Sequence, residues 1–532
     1  MERSPTMERT GASRSLWMAT ADAPVFAPLT ADAHARVCVV GAGIAGLSVA
    51  HRLAKAGVDV VVLDESDLRG GQTARTTGHL CDALDDRYFE LEQLHGAEGA
   101  RLAAHSHAAA IDAIERTCAE EGIECGFARC DGYLVRGEGD QRIGLLDHEF
   151  DAASRAGVAV ERLHAPPGAF EHFGDALRFK HQARFHALDY LDGLARAVVR
   201  HGGRIHARTR VDNVDGGANA GATVANGARV QAEHVVVATN VPFIDRLAIH
   251  TKQAAYRTYV VALRLDPGTV PDALLWDTLD PYHYVRVATA RNGTWLVVGG
   301  EDRKTGQDDA PAVRYEVLES WAREHFPMAL DVGYQWSGQV IEPIDGLAYI
   351  GRNPGFADNV HVVTGDSGNG LTHGTIAGLL IGDVILQGDS PWRALYAPNR
   401  RNVRAADAYL RENLNFVPYY ADWVSGGEIE GLDALASGEG AVLRRGLHKV
   451  AAWRDEAGEL HLHSAVCPHL GCVVHWNGAE RSWDCPCHGS RFDAVDGRRL
   501  NGPAMRGLAP VGGPVVAEAS VKSAEGPPVL RL

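Results

Sequence analysis

The sequence has few of the features that mark secreted, membrane-spanning or disordered chains. Its 532 residues include 9 cysteines, too few for a disulfide scaffold. Glycine and proline number 59 and 23, below the share that is typical of disordered chains. The most apolar stretch near the N-terminus, residues 37–50, is too short to span a bilayer. Residues 1–34 lack the pattern of a secretory signal, so we expect a cytoplasmic protein without a membrane span.

The sequence also has fewer basic than acidic residues. Lysine and arginine total 52 against 68 aspartates and glutamates, which gives a formal net charge of −16. A chain with this balance is repelled by a polyphosphate backbone and by an anionic membrane. Nucleic-acid binding is therefore not expected.

The chain is long enough for about three structural units. Upstream of residue 425, apolar β-branched runs alternate with helical patterns, which indicates an α/β fold. Residues 425–440 are rich in Gly, Ser and acid and are typical of a linker. We therefore predict a tail (1–34), an α/β unit (35–424) and a small all-β domain (441–532) with short strands between turns.

A dinucleotide site is predicted near the N-terminus. A strand ending at Val40 runs into Gly41-Ala-Gly43-Ile44-Ala45-Gly46 and then into a helical pattern. In this motif the first glycine permits the tight turn, the second lets the backbone approach a pyrophosphate, and the third lets helix and strand pack closely. The next strand delivers Asp64 and Glu65, where a carboxylate can bind an adenosine ribose. The motif occurs once, so one dinucleotide is expected.

Further segments resemble the D-amino-acid-oxidase-like flavoproteins. They are the loop 70–79, the strand entering Val211, residues 336–351, and the glycine turn 364–374. The resemblance implies FAD as the dinucleotide and a Rossmann-like FAD-binding domain with an inserted α+β substrate domain that includes about 250–335. It adds these cofactor-binding residues: Gln72, Thr73, Val211, Gly338, Gly370, Leu371 and Thr372. Arg75 stands where some relatives carry a flavin-linked histidine, so a covalent flavin is not expected.

The C-terminal domain contains a strong metal-binding pattern. Cys467-Pro-His469 and Cys485-Pro-Cys487-His488 each place a Cys and a His on one loop. Two cysteines on one iron and two histidines on the other are the ligands of a Rieske 2Fe-2S cluster, although such pairs also suit zinc.

The surrounding residues resemble Rieske proteins of the respiratory type. That resemblance implies Cys467, His469, Cys485 and His488 as cluster ligands and a disulfide between Cys472 and Cys487; two free thiols are the alternative in a reducing compartment. Together, the two modules resemble bacterial FAD-dependent oxidoreductases with a C-terminal Rieske domain.

Candidate substrate-binding and catalytic residues fall in the segment 282–286 and at the glycine turn. Arg286 is suited to bind a carboxylate, and His283 and Tyr284 precede it on a strand-like stretch. His373 either faces the flavin or lies in the first helical turn. For each of them an ordinary structural position is an equal alternative.

The sequence favours a dehydrogenase that takes a hydride from an amine or amino-acid-like substrate onto FAD. Single electrons would then pass through the cluster to a ferredoxin- or cytochrome-like acceptor protein. Two alternatives remain: an oxidase that discharges to O2, and an electron-transfer module without a small substrate. A homo-oligomer is possible from the sequence alone.

Overall fold

A computed structural model describes residues 11–22, 24–244 and 249–511. The α-helices of these residues, in chain order, are α1 (Leu16–Thr20), α2 (Ile44–Lys55), α3 (Tyr88–Glu121), α4 (Leu145–Ala156), α5 (Ala187–Arg200), α6 (Pro311–His325), α7 (Gly370–Gln387), α8 (Arg393–Tyr396) and α9 (Ala406–Asn415). In the described part of the chain, none of them has the length and apolar composition needed to cross a membrane.

The strands of the described residues fall into four sheets. In chain order they are β1 (Ala33–Val40), β2 (Val60–Leu63), β3 (His79–Leu80), β4 (Ala128–Val135), β5 (Val160–Leu163), β6 (Ala176–Arg184), β7 (Arg204–His206), β8 (Val211–Asp215), β9 (Gly221–Val224), β10 (Arg229–Val237), β11 (Gln253–Leu265), β12 (Leu274–Asp277), β13 (Tyr284–Ala290), β14 (Gly293–Lys304), β15 (Val332–Pro343), β16 (Tyr349–Arg352), β17 (Val360–Thr364), β18 (Gly440–Arg445), β19 (His448–Arg454), β20 (Leu460–Ser464), β21 (His475–Asn477), β22 (Ser482–Asp484), β23 (Arg491–Asp493) and β24 (Arg499–Asn501).

The first sheet has the order β16-β17-β10-β1-β2-β7, and β8 and β9 extend it from β10. Its five central strands, from β17 to β7, run parallel. β2 is a continuous apolar run, and β1 and β10 each end in a buried apolar run, as parallel strands covered on both faces usually do. α2 and α7 pack tightly together, because a side chain at Gly374 would lie 2.8 Å from Ile44. The predicted Rossmann-like domain is confirmed.

The second sheet is mixed, with the order β15-β11-β14-β13-β12-β4-β6-β3 and β5 beside β6. α6 covers one face of it through Tyr315, Leu318 and Ala322, which join the core of this sheet. This is the predicted α+β substrate domain. Its strands come from residues 79–184 and 253–343, which alternate along the chain with the strands of the first sheet. Distant parts of the chain therefore meet between the two sheets.

The predicted tail is partly folded into the protein. Residues 11–22 carry α1, in which Trp17 is fully buried and donates from its indole nitrogen to the carbonyl of Thr76 at 2.5 Å. Ser15 caps this helix. The apolar sequence Leu16-Trp17-Met18 explains the packing, because leaving these side chains in water would cost several kcal/mol, at about 2 kcal/mol each. Residues 1–10 lie outside the described residues.

The C-terminal domain is all β, as predicted. β18-β19-β20 form one sheet and β21-β22-β23-β24 another. The predicted linker, 425–440, packs against this domain and places Leu435 in its core. The final segment of the predicted domain, 512–532, lies outside the described residues.

Candidate functional site

A long cavity begins at the turn between β1 and α2. Gly41 has φ +106°, and a side chain there would lie 2.3 Å from the carbonyl oxygen of Ala238. At Gly46 it would lie 1.8 Å from the carbonyl oxygen of Gly41. At Gly43, by contrast, the nearest atom is the Thr73 hydroxyl at 3.4 Å. The turn therefore leaves open space over Gly43, where a pyrophosphate would approach the N-terminus of α2.

The acidic residues after β2 also line the cavity. Asp64 accepts a hydrogen bond from the Ala42 amide at 2.6 Å and another from the Ser66 amide at 2.7 Å. Burial raises the pKa of this carboxyl, although these hydrogen bonds oppose the shift. Asp64 thus holds the glycine turn in place. Glu65 pairs at 2.7 Å with Arg499 of the C-terminal domain.

The structure brings most of the predicted cofactor-binding residues together. Those that line the cavity are Gly41, Gly43, Ile44, Ala45, Asp64, Glu65, Gln72, Thr73, Val211, Gly338, Gly370 and Leu371. Two others lie behind its wall: Gly46 packs on the glycine turn, and the Thr372 hydroxyl lies 2.8 Å from Nδ1 of His107. The open space over Gly43 and the helix N-termini of α2 and α7 fit FAD.

Beyond the glycine turns, the cavity is lined by hydroxyls and carboxyls. The Tyr282 hydroxyl donates to Asp85 at 2.9 Å, and the Tyr284 hydroxyl lies 2.6 Å from that of Thr258. Asp302 also lines this part, and its Oδ1 is buried without a hydrogen-bond partner. Burial raises the pKa of Asp302 to about 7, against a hydrogen bond from Thr258. This end of the cavity is suited to a group that donates hydrogen bonds.

Cations of the cavity wall are already paired with carboxylates. Among the described lining residues they are Arg75, Arg210 and Arg499. Their partners are Glu480, Asp212 and Glu65, respectively. A negatively charged substrate would therefore find little uncompensated positive charge.

The predicted catalytic residues have different positions. Tyr284 and His373 line the cavity. The Arg286 guanidinium is buried, does not line the cavity, and donates to the carbonyl of Phe185 at 3.1 Å and to that of Gly78. These contacts do not support its predicted role as a carboxylate anchor. His283 bonds to Asp277 at 2.8 Å and does not line the cavity.

His373 lies in the first turn of α7 and forms a buried pair with His107. Its Nδ1 donates to the carbonyl of Asp366 at 2.9 Å, and its Nε2 lies 3.2 Å from Nε2 of His107. Burial lowers the pKa of His373 to about 4. A neutral His373 that fixes the glycine turn is consistent with these contacts.

Sequence reasoning missed three carboxylates of the cavity, Asp85, Asp302 and Asp366. Asp302 ends the segment Gly299-Gly-Glu-Asp302, in which no spacing marks it as part of a site. Asp85 follows the FAD-binding loop in a stretch of several aspartates. Only the folding of β14 beside β13 brings Asp302 to the wall that carries Tyr284.

The predicted metal ligands converge on two matching loops. The amide of Gly471 donates to the carbonyl of Cys467 at 3.0 Å, and that of Gly489 donates to Cys485 at 3.0 Å. The rings of His469 and His488 lie 4.9 Å apart between centroids. The two cysteines are buried, and Nδ1 of His488 is buried without a hydrogen-bond partner. This donor set fits a cluster held by two cysteines and two histidines.

The disulfide implied by the Rieske resemblance is present. It joins Cys472 to Cys487 and so ties the two ligand loops together. Ser490 follows the second loop and accepts from the Ala504 amide at 3.0 Å.

The C-terminal domain docks on the α/β unit through a buried carboxylate. Glu480 lies 3.1 Å from the Arg257 guanidinium and 3.4 Å from that of Arg75, and it also accepts from Ser13 and Ser337. Burial alone would raise the pKa of Glu480, but the charges of Arg75 and Arg257 outweigh it and hold that pKa at about 2. The domains are therefore joined by an ionised, fully buried contact.

The cluster loops face the α/β unit of the same chain. The His250 ring lies edge-on to both ligand histidines, with centroids 4.8 Å from His469 and 5.1 Å from His488. The Gln339 amide donates to the carbonyl of Gly489 at 2.7 Å, and Gln339 also lines the long cavity. The two sites thus share a wall.

Comparison with known proteins agrees with this geometry. Residues 36–384 match the model of the FAD dependent oxidoreductases, and residues 428–512 match that of the Rieske [2Fe-2S] domain. The second match favours the cluster over zinc.

Relatives resemble the whole chain or its first part. A Bacillus subtilis protein named as a Rieske 2Fe-2S iron-sulfur protein, YhfW, is 29% identical over 93% of this chain and 97% of its own length. The gamma-glutamylputrescine oxidoreductase of Escherichia coli is 26% identical over 66% of this chain and 84% of its own. Glycine oxidase from Geobacillus kaustophilus has the same fold, with a TM-score of 0.58 and 19% identity over 69% of this chain and 99% of that one. The chain therefore belongs to the family of FAD dependent oxidoreductases, and it carries a Rieske [2Fe-2S] domain after the flavin module.

Proposed function

We propose that the protein is a dehydrogenase that oxidises an amine or amino-acid-like substrate at FAD and passes the electrons through its Rieske cluster to an external one-electron acceptor protein. When bound, FAD accepts a hydride and can release its electrons singly. The observation that carries the proposal is the wall shared by the two cofactor sites, where Gln339 contacts the loop of His488. An electron outlet has to lie close to the flavin, and a loop that contacts the wall of the flavin cavity supports this role.

Carboxyl groups of the cavity support an amine as the reacting group. Asp85 and Asp302 offer negative charge in a site whose cations are already paired, and an ammonium group bound there would be stabilised by both. The relative named as a gamma-glutamylputrescine oxidoreductase supports the same substrate class.

Asp302 is the group that we propose takes a proton from the substrate. A protonated amine has no free electron pair to assist hydride departure, so a base has to remove that proton first. Oδ1 of Asp302 has no hydrogen-bond partner, and a carboxyl whose pKa lies at about 7 is matched to this task near neutral pH. Tyr282 and Tyr284 would orient the substrate beside it.

The test uses the holoprotein and a cluster-less variant, His469→Ala. Each is mixed anaerobically with a panel of amines and amino acids, and flavin bleaching and the reduced-cluster signal in electron paramagnetic resonance are recorded. We expect an amine to bleach the flavin in both proteins but to yield a cluster signal, and to reduce added cytochrome c, only in the unaltered one.

Three results would contradict the proposal. Stoichiometric hydrogen peroxide in air, with equal turnover of His469→Ala, would indicate an oxidase. Cytochrome c reduction by His469→Ala at the unaltered rate would remove the cluster from the electron path. Failure of every amine and amino acid to bleach the flavin would indicate a module without a small substrate.

A further inference from the structure

Gln339 lines the flavin cavity and also contacts the loop that carries the cluster ligand His488. It lies in β15, directly after Gly338, and both residues line the flavin cavity. Its backbone amide donates to Oε1 of Gln72, another residue that lines the cavity, at 2.8 Å. Its side chain reaches the C-terminal domain, and the residue is 1% exposed.

On the cluster side, the Gln339 side chain ends on the residue next to a ligand. Nε2 donates to the carbonyl of Gly489 at 2.7 Å, and Gly489 follows His488. A side chain at Gly489 would lie 2.2 Å from Cβ of Ala255, so glycine is required there for the loop to approach β11 this closely. The carbonyl is thus presented to Gln339 by close backbone packing.

We propose that Gln339 is the positioning residue that couples the flavin to the cluster, an inference that rests on the proposed function. The path runs through the covalent bonds of Gln339, one hydrogen bond, and the backbone from Gly489 to His488. With both cofactors bound, the step would transfer one electron: the flavin would lose one electron, and one iron(III) of the cluster would become iron(II). No bond between heavy atoms forms or breaks, and the amide keeps its hydrogens.

His250 is a weaker candidate for this coupling. Its ring contacts both ligand histidines, but it does not line the flavin cavity. Of these two residues, Gln339 alone reaches both sites through its own bonds.

The chain provides a matched control in Gln307. Its Nε2 donates to the carbonyl of Pro486 at 2.8 Å, so a second glutamine amide holds the same ligand loop across the same interface. Gln307 does not line the flavin cavity. Replacing each glutamine by methionine removes one such hydrogen bond at nearly constant volume.

The experiment measures electron transfer without any substrate. The flavin of anaerobic Gln339→Met, Gln307→Met and unaltered holoprotein is photoreduced by a laser flash with 5-deazariboflavin, and cluster reduction is followed by absorbance. Midpoint potentials and the resonance spectrum of the reduced cluster are measured on the same samples. If Gln339→Met does not retain both cofactors, Gln339→Asn takes its place, because it keeps the amide but withdraws it by one methylene.

We expect the flavin-to-cluster rate to fall by about 10- to 100-fold in Gln339→Met, because a displacement of about 1 Å can cost about 100-fold. In Gln307→Met it should stay within about twofold of the unaltered rate, as expected for an independent site. Potentials and spectra should not change in either variant. An unaltered rate in Gln339→Met, an equal loss in both variants, or a shift of potential that accounts for the loss would overturn the proposal. Because no substrate is used, a wrong substrate class would not affect this outcome.

Discussion

At the scale of single residues, environment rather than residue type decides which side chains can act. Arg286 is chemically suited to bind a carboxylate, but its guanidinium donates to the backbone carbonyls of Gly78 and Phe185 instead. Asp302 is an ordinary acid whose burial raises its pKa to about 7. Asp302, which sequence reasoning overlooked, is therefore the candidate for proton transfer, and Arg286 holds the backbone instead.

Asp302→Asn should change the pH dependence of substrate oxidation. If the ionised carboxylate is the base, as proposed, the rate of flavin reduction in the unaltered protein should rise with pH through about 7 and then level off. In the variant that limb should disappear and the rate should fall by about 100-fold or more, the usual contribution of a general base. The measurement is anaerobic stopped-flow flavin reduction between pH 5 and 9.

Asp85→Asn is the control for lost negative charge. It removes a carboxylate that accepts from Tyr282 and should weaken substrate binding. The pH limb should remain but move to lower pH, because the charge of Asp85 helps to raise the pKa of Asp302. An unchanged limb in Asp302→Asn would show that Asp302 is not the base.

At the scale of elements, the turn between β1 and α2 contains one glycine that the fold requires and another that we expect cofactor binding to require. Gly46 is needed by the protein itself, because a side chain there would collide with the carbonyl of Gly41 at 1.8 Å. Gly43 faces open space in the protein. Two glycines of one motif therefore have different tasks.

Gly43→Val should fold but lose FAD, because its side chain would fill the space of the pyrophosphate. The flavin-to-protein absorbance ratio should fall to near zero, while the cluster signal stays. Gly46→Val should instead lower the unfolding temperature and the yield of folded protein. Full flavin content in Gly43→Val would mean that the pyrophosphate lies elsewhere.

At the scale of the whole molecule, the two modules are joined by charge as well as by the chain. Glu480 lies between Arg75 and Arg257, and it is buried. Removing one partner of a buried ion pair leaves the other charge uncompensated. Arg75 lines the flavin cavity, so this contact also links domain docking to the flavin site.

Glu480→Ala should destabilise the holoprotein by about 3–5 kcal/mol, since it leaves buried arginines without their carboxylate. The pKa of Glu480 is about 2 in the folded protein and near 4.3 in an unfolded chain. Its stabilisation is therefore complete above about pH 4.5 and is lost as the pH falls toward 2.

Calorimetric unfolding at several pH values tests this contact. Glu480→Ala should be less stable at neutral pH and should show a smaller further loss on acidification. Glu98→Ala, which removes an exposed partner of Arg101, is the control and should differ little from the unaltered protein. Equal stability of Glu480→Ala and the control would contradict the importance of this contact.

The sequence by itself determined the two cofactors and the order of the modules. The glycine turn, Cys467 with His469, and Cys485 with His488 are sets of residues only a few positions apart. Their geometry is set by local backbone structure, which short motifs encode directly. The resemblance of these loops to Rieske proteins also predicted the disulfide between Cys472 and Cys487, which are 15 residues apart.

Only the tertiary structure decided how the two cofactor sites meet and which groups line the substrate end. The contacts of Gln339 with Gly489 and of Arg257 with Glu480 join residues 150 and 223 positions apart. Such pairs have no fixed spacing, because the loops between them can vary in length at little cost in free energy. The raised pKa of Asp302 likewise comes from burial, which depends on the packing of both sheets and leaves no mark in the neighbouring residues.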